Sequence, residues 1–221
     1  MVFEDGKCNN TYSVNSINKL INIDNTKVVI GGICSSETIA AAPIAENNKV
    51  ILFSPASGSP NITYSGEYIF RNMASDAYSG KKIAETAVQN KHLKIAIITE
   101  NTEYAISLSK VFREHYNRLG GEIVIEEKFE TNTNDFKTII AKINSKEIDA
   151  IYINPQTPQT FTILLKQLKE NGINKQLYGN EYTRSKEVLE NFSKEIEGII
   201  FAEANFNEND ALTKSRTFYG I

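Results

Sequence analysis

Two hydrophobic patterns alternate along this chain. Short dense apolar runs at residues 28–33, 50–53, 94–99 and 148–153 are bounded by Gly, Ser, Pro or charged residues. Runs of that length predict buried parallel strands. Between them apolar positions recur every three or four residues, as at Val14, Ile17, Leu20 and Ile21, and that spacing predicts helices. The chain opens on what reads as the tail of a strand, turning at Asp5-Gly6, followed by a helix over 13–23 and strand 28–33. Helix 37–47, strand 50–53, a short strand at 68–72 and a helix from Ser75 to about residue 91, capped by the serine hydroxyl, complete the first run.

A second run begins with strand 94–99 and a helix over 103–119 that Gly120-Gly121 stops. Strand 122–129 alternates in part, which places it nearer an edge. Helix 135–144, strand 148–153 and helix 158–171 follow, then short strands at 176–179 and 198–202 around a helix at 185–192. Repeated β-then-α order implies parallel sheets with right-handed crossovers. Two small sheets fit better than one wide one. The crossover falls near residues 72–75 and a return near 202–206, so the expected units are 1–73, 74–203 and a returning segment 204–221 with a helix from 211. A cleft between two such units is a favoured place for a small ligand.

Composition narrows the class. Of 221 residues 41% are apolar and 23% charged, enough to build a core. The net charge of −3 gives no electrostatic case for nucleic acid as a partner. No apolar stretch approaches the roughly 20 residues that span a bilayer. The opening strand tail has no element before it and the last helix stops at the final residue, so the chain reads as a fragment of a longer one. On that reading the first sheet lacks a central strand and is disturbed, because unmade backbone bonds are costly, whereas the second is intact.

The candidate chemistry sits in loops. Cys34-Ser35-Ser36-Glu37-Thr38 and Ser54-Pro55-Ala56-Ser57-Gly58-Ser59-Pro60 each follow a strand, on the edge where parallel sheets bind ligands. Their hydroxyls and free N–H groups, the first set at a helix N-terminus, suit a carboxylate. Ser35 and Ser36 are equally ordinary helix caps. Tyr104, Gln156, Thr157 and Glu181 follow strands of the second sheet, so anion donors on one wall would face a carboxylate on the other, a cradle for a zwitterion. Gly31-Gly32 lacks dinucleotide spacing and no phosphate-loop lysine motif occurs. Asp5, Asp76 and Glu103 show no pairing spacing and read as surface carboxylates. The two cysteines, Cys8 and Cys34, are too few for a zinc site, and His92 and His115 add no ligand spacing. They read either as a disulfide or as two buried thiols. Cys34 or Ser35 as a nucleophile lacks an evident activating base.

The segments Phe3-Glu4-Asp5-Gly6-Lys7-Cys8, Gly31-Gly32-Ile33-Cys34-Ser35-Ser36, Ala41-Ala42-Pro43-Ile44-Ala45, Ser54 to Pro60, Phe70-Arg71-Asn72 and Tyr178-Gly179-Asn180-Glu181 resemble, in order, the type I periplasmic substrate-binding proteins of the leucine/isoleucine/valine-binding branch. The resemblance implies two doubly wound parallel-sheet α/β lobes with an interlobe cleft, and a disulfide between Cys8 and Cys34. It implies that Ser35, with Ser36 beside it, meets the ligand carboxylate. Ala56, Ser57 and Gly58 would supply loop contacts, Tyr104 would pack over the ligand, Gln156 would line the pocket and Glu181 would pair with the α-ammonium. The family often carries Thr where this chain has Gly58 and Tyr where it has Gln156, which puts branched-chain specificity in question. The implied function is non-enzymatic, without cofactor or metal: lobe closure on an amino acid outside the cytoplasm and delivery to an ABC-type membrane permease. Anchoring through a preceding segment is compatible with that role. A ligand-sensing receptor domain of the same fold is the alternative, and a hydrolase on a doubly wound fold is the reading of a different class.

Overall fold

The computed structural model describes residues 1–202, so the expected return segment and final helix lie outside the described residues. Elements alternate as the pattern predicts: α1 (Asn10–Asn22), β1 (Val28–Ile30), α2 (Ser35–Asn47), β2 (Ile51–Ser54), β3 (Ile69–Arg71) and α3 (Ala77–Gln89). Next come β4 (Lys94–Glu100), α4 (Glu103–Arg118), β5 (Glu122–Phe129), α5 (Lys137–Asn144), β6 (Ala150–Asn154), α6 (Pro158–Glu170), β7 (Gln176–Gly179), α7 (Lys186–Asn191) and β8 (Ile200–Phe201). Short 3-10 turns at Pro60–Tyr64 and Glu181–Arg184 complete the set.

All pairing is parallel, in two sheets: β1-β2-β3, and β5-β4-β6-β7-β8 with β5 at its edge as its alternation implied. The second sheet is covered on both faces, and the alternation along each strand decides which residue goes where. Ala96, Ile98, Ile151 and Ile153 pack against Phe136 and Ile140 beside and on α5, Phe161 and Leu165 of α6, and Val188 of α7. Ile95, Ile97, Ala150 and Tyr152 point the other way, against Ile83 and Ala87 of α3 and Phe112 and Tyr116 of α4. Burying each such side chain stabilises by roughly 1.5–3 kcal/mol. Gly80 lets α3 and α4 approach, since a Cβ there would stand 3.1 Å from Leu108 and 3.2 Å from Val111.

Among the described residues the first sheet is covered on one face, by Ile17 of α1 and Ala41, Ala42 and Ala45 of α2 over Leu52. Two expectations change here. Residues 1–8 form no strand, and β1 has no neighbour on its outer side among the described residues. The three strands are contiguous, so the sheet ends at β1 and does not enclose a gap. The run at 28–33 also stops pairing early, at Ile30, as Gly31 makes a last bond to the Phe53 carbonyl and turns away. The helix expected from Ser75 has Asp76 at its N-cap position, although the Ser75 hydroxyl accepts from Ala77 N–H at 3.4 Å.

Candidate ligand site between the two sheets

The first wall is built on the N-terminus of α2. Glu37 makes it rigid: one carboxylate oxygen accepts from Cys8 N–H and the other from Cys34 N–H, each at 3.0 Å. Cys8 and Cys34 form a disulfide, with Cα atoms 5.3 Å apart, inside the range such bonds require. It ties the arm before α1 to the start of α2. Ser35, 3% exposed, accepts from Ser59 N–H at 3.2 Å, while half-buried Ser36 donates to the Cys8 carbonyl.

The loop after β2 is knitted inward. The Ser57 hydroxyl meets Thr38 at 2.8 Å and the carbonyls of Gly32 and Ile33 at 3.1 Å. Ser54 donates to Gly32 and accepts from Ser57 N–H. Ala56 is exposed; Gly58 is buried. Arg71 donates to the carbonyls of Gly58 and Ser59 and to the Thr63 hydroxyl, which fixes the loop from below.

The second wall comes from strand ends. Tyr104, in the first turn of α4, is 7% exposed and meets Tyr182 edge-on with centroids 5.9 Å apart. Burial first, then the charges of Glu181 and Asp76, push its hydroxyl well above the ordinary range. Gln156 is held by its backbone, which donates to Glu100 at 2.7 Å; its side-chain amide lies 3.8 Å from the Cys34 sulfur. Asn180 donates to Asn154 and to the Pro155 carbonyl, and Asn154 donates to Ala105 and Ser109, so the ends of β6 and β7 and the start of α4 form one polar lattice. Glu181 stands at the head of the turn that this lattice supports, which Asn180 caps.

The walls touch. Ser59 donates to Ser107 at 3.0 Å and Asn61 to Glu103 at 2.7 Å. Asp76, in the crossover between the sheets, is no surface carboxylate: burial and the charge of Glu181, opposed by Arg71, push it up to about 7. Asp76 and Glu181 line one cavity of about 520 Å³ with Met73, Tyr78 and Ala202. Glu100, fully buried at the end of β4, has one carboxylate oxygen without a hydrogen-bond partner among the described residues. Of the residues read from sequence, Tyr104 and Glu181 come together around Asp76, and Gly58 lies against it. Gln156 comes to Cys34, whereas the hydroxyls of Ser36 and Ser57 are spent within the first wall. Asp5 caps its own turn at Lys7, away from this group. Asp76, Glu100 and Arg71 were not singled out for the site. Glu100 had a visible signal, a carboxylate ending the most apolar strand.

The family described as periplasmic binding protein matches residues 1–220. The chain belongs to that family. Among curated relatives, the Leu/Ile/Val-binding protein of Citrobacter freundii is 27% identical over 202 residues, covering 90% of this chain and 54% of that protein. The chain thus spans about half the length of the curated relatives it matches. A leucine binding protein from Thermotoga maritima superposes with a TM-score of 0.83 at 24% identity, over 100% of this chain and 65% of that one. A solute binding protein of an ABC transporter from Rhodopseudomonas palustris, solved with 3,4-dihydroxy benzoic acid, superposes at 0.82 with 23% identity, over 99% and 62%. The fold is therefore the type I periplasmic binding protein fold, and the relatives of this chain are solute-binding proteins. No helix among the described residues is long and apolar enough to cross a membrane.

Proposed function

We propose that the protein containing this periplasmic binding chain captures an amino acid between its two lobes, outside the cytoplasm, and presents it to an ABC-type permease. The observation that carries this reading is the polarity of the facing walls. One offers the N-terminus of α2 with Ser35, which suits a carboxylate. The other offers Glu181 with the buried ring of Tyr104 and the half-buried ring of Tyr182, which suit an ammonium on an aliphatic stem. A benzoate-type ligand, with an anionic end and no cation, brings no positive charge to the Asp76 carboxylate on that side of the site. Ligand contacts to both lobes favour the closed form, and that differential is what a permease reads.

The test is thermal denaturation of the full-length protein, stripped of ligand by unfolding and refolding, against the twenty amino acids and benzoate. An amino acid at about 100 times its Kd stabilises by about 2.7 kcal/mol and raises the midpoint by several degrees. Glu181→Gln should weaken that amino acid about tenfold or more, as expected for a lost charge-assisted bond. Stabilisation by benzoate and by no amino acid overturns the reading.

A further inference from the structure

We infer that Ser59 is a positioning residue for the ligand site: it ties Ser35 on the first wall to Tyr104 on the second, so that the two walls are set against each other before a ligand arrives. The role rests on the amino-acid reading above and adds to it a residue that acts through its neighbours.

Every polar group of Ser59 is engaged, on a residue that is 0% exposed. Its N–H donates to the Ser35 hydroxyl at 3.2 Å, its carbonyl accepts from Arg71 at 2.7 Å, and its hydroxyl donates to Ser107 at 3.0 Å. Ser107, 4% exposed, donates in turn to the Tyr104 carbonyl at 2.9 Å. A hydroxyl has one proton to give and two lone pairs to accept with, so these partners fix the direction of each bond. The Ser107 proton is committed to Tyr104, which leaves its oxygen to receive from Ser59. The Ser59 oxygen keeps a lone pair for Asn61 N–H at 3.3 Å. At the other end Ser35 receives from Ser59 and donates to no group among the described residues, so its proton is left for a carboxylate.

The line therefore runs from Ser35 through Ser59 and Ser107 to Tyr104, crossing from the loop after β2 to the first turn of α4. Its ends are the two groups that the amino-acid reading gives to the ligand carboxylate and to the stem beside the ammonium. Glu103 braces the crossing: it accepts from Asn61 at 2.7 Å and stands 3.4 Å from the Ser59 hydroxyl. Ser57, two residues earlier in the same loop, makes the contrast, because its hydroxyl bonds within the first wall. A buried hydroxyl that loses its partner keeps the cost of its desolvation, so separation of the walls at Ser59 and Ser107 is opposed. Walls held in advance at the spacing a ligand needs raise its affinity without any added ligand contact.

The experiment uses the full-length protein, stripped of ligand by unfolding and refolding. Nitroxide labels on Asn47→Cys of α2 and Lys110→Cys of α4, both exposed positions, report the distance between the walls without ligand. Binding is measured on unlabelled protein with whichever of the twenty amino acids most raises the wild-type denaturation midpoint. Ser59→Ala and Ser107→Ala each remove one hydroxyl and keep the backbone donors and acceptors. We expect each to weaken binding about threefold to tenfold, through faster dissociation at an unchanged association rate, and to lengthen and broaden the label distance. The double variant should bind no more weakly than the weaker single one, because both substitutions break the same line. Ser65→Ala removes a hydroxyl that donates to the Asn61 carbonyl within the same loop, and it should match wild type in both readouts. Binding within twofold of wild type, an unchanged label distance, or losses that add in the double variant overturns the role of Ser59 while the amino-acid reading stands. A lowered ligand-free midpoint with neither readout moved marks an ordinary packing residue and overturns it as well. If no amino acid binds the wild type, the amino-acid reading fails, and the label distance alone decides whether Ser59 ties the walls.

Discussion

The two sheets are built from the same kind of strand and differ in what lies on them. In the second, odd and even residues of β4 and β6 are equally buried, because α3 and α4 cover one face and α5, α6 and α7 the other. In the first, Leu52 is buried under α1 and α2, but Val28, Ile30, Ile51, Phe53 and Phe70 point outward and remain exposed, Ile30 at 73%. An apolar run in a parallel strand is thus a demand for two covers, and one of them is not among the described residues of the first sheet. What holds the first unit together instead is specific chemistry: the disulfide, the Glu37 clamp on both cysteine N–H groups, and the hydroxyl lattice of the loop after β2.

That contrast can be broken from the strong side first. Phe112→Ala, in the fully buried face between α4 and the second sheet, should cost about 3–5 kcal/mol in denaturant unfolding. A cost below 1 kcal/mol would mean that this face is not the dominant core. Next, Cys8→Ser with Cys34→Ser should cost about 3–4 kcal/mol on the chain-entropy account for the 26-residue separation. Hydrogen exchange should locate the loss in α1, α2 and β1–β3, with β4 and β6 still protected. Equal loss in both sheets would show that they fold as one cooperative unit.

A smaller effect concerns the carboxylate between them. Asp76 holds its proton up to about pH 7 in the folded chain, against an ordinary value of 3.8. The folded state binds more protons than the unfolded between those values, so this group lowers stability as pH rises from about 4 to 7. Asp76→Asn should therefore raise stability at pH 8, by an amount on the order of 1 kcal/mol, and leave it unchanged near pH 3. A stability loss at pH 8 would show that the carboxylate has a partner in the fold. The smallest effect is expected on the uncovered face: Ile30→Thr should shift stability by no more than about 0.5 kcal/mol in the chain described, measured in the same denaturant series.

From residue 10 to residue 202 the element order was legible because burial and period act locally. The strands at 94–99 and 148–153 and the helices capped by Thr102 and Thr157 needed only their neighbours to be recognised. The misreadings have a common cause. The opening residues 1–3 are apolar like a strand, but a strand exists only where another pairs with it, and here the arm is held by Cys8. Ser57 looked like a free ligand hydroxyl, yet its oxygen is taken up by Thr38 and two carbonyls brought in from another segment. Asp76 looked like any helix-start carboxylate, and nothing local announces that Gly58 makes room for it.

By itself, then, the sequence determined the parallel α/β order, the division into two sheets, the family through its ordered motifs, and the residues that gather at strand ends. Those follow from pattern and chain order, which each segment carries alone. Tertiary structure decided which hydroxyls are spent, which carboxylate is buried and which sheet face is left open. These depend on distances between segments apart in the chain, such as the approach of the Asp76 carboxylate to Gly58, where a Cβ would stand only 2.0 Å from its oxygen, and no local pattern encodes a distance of that kind.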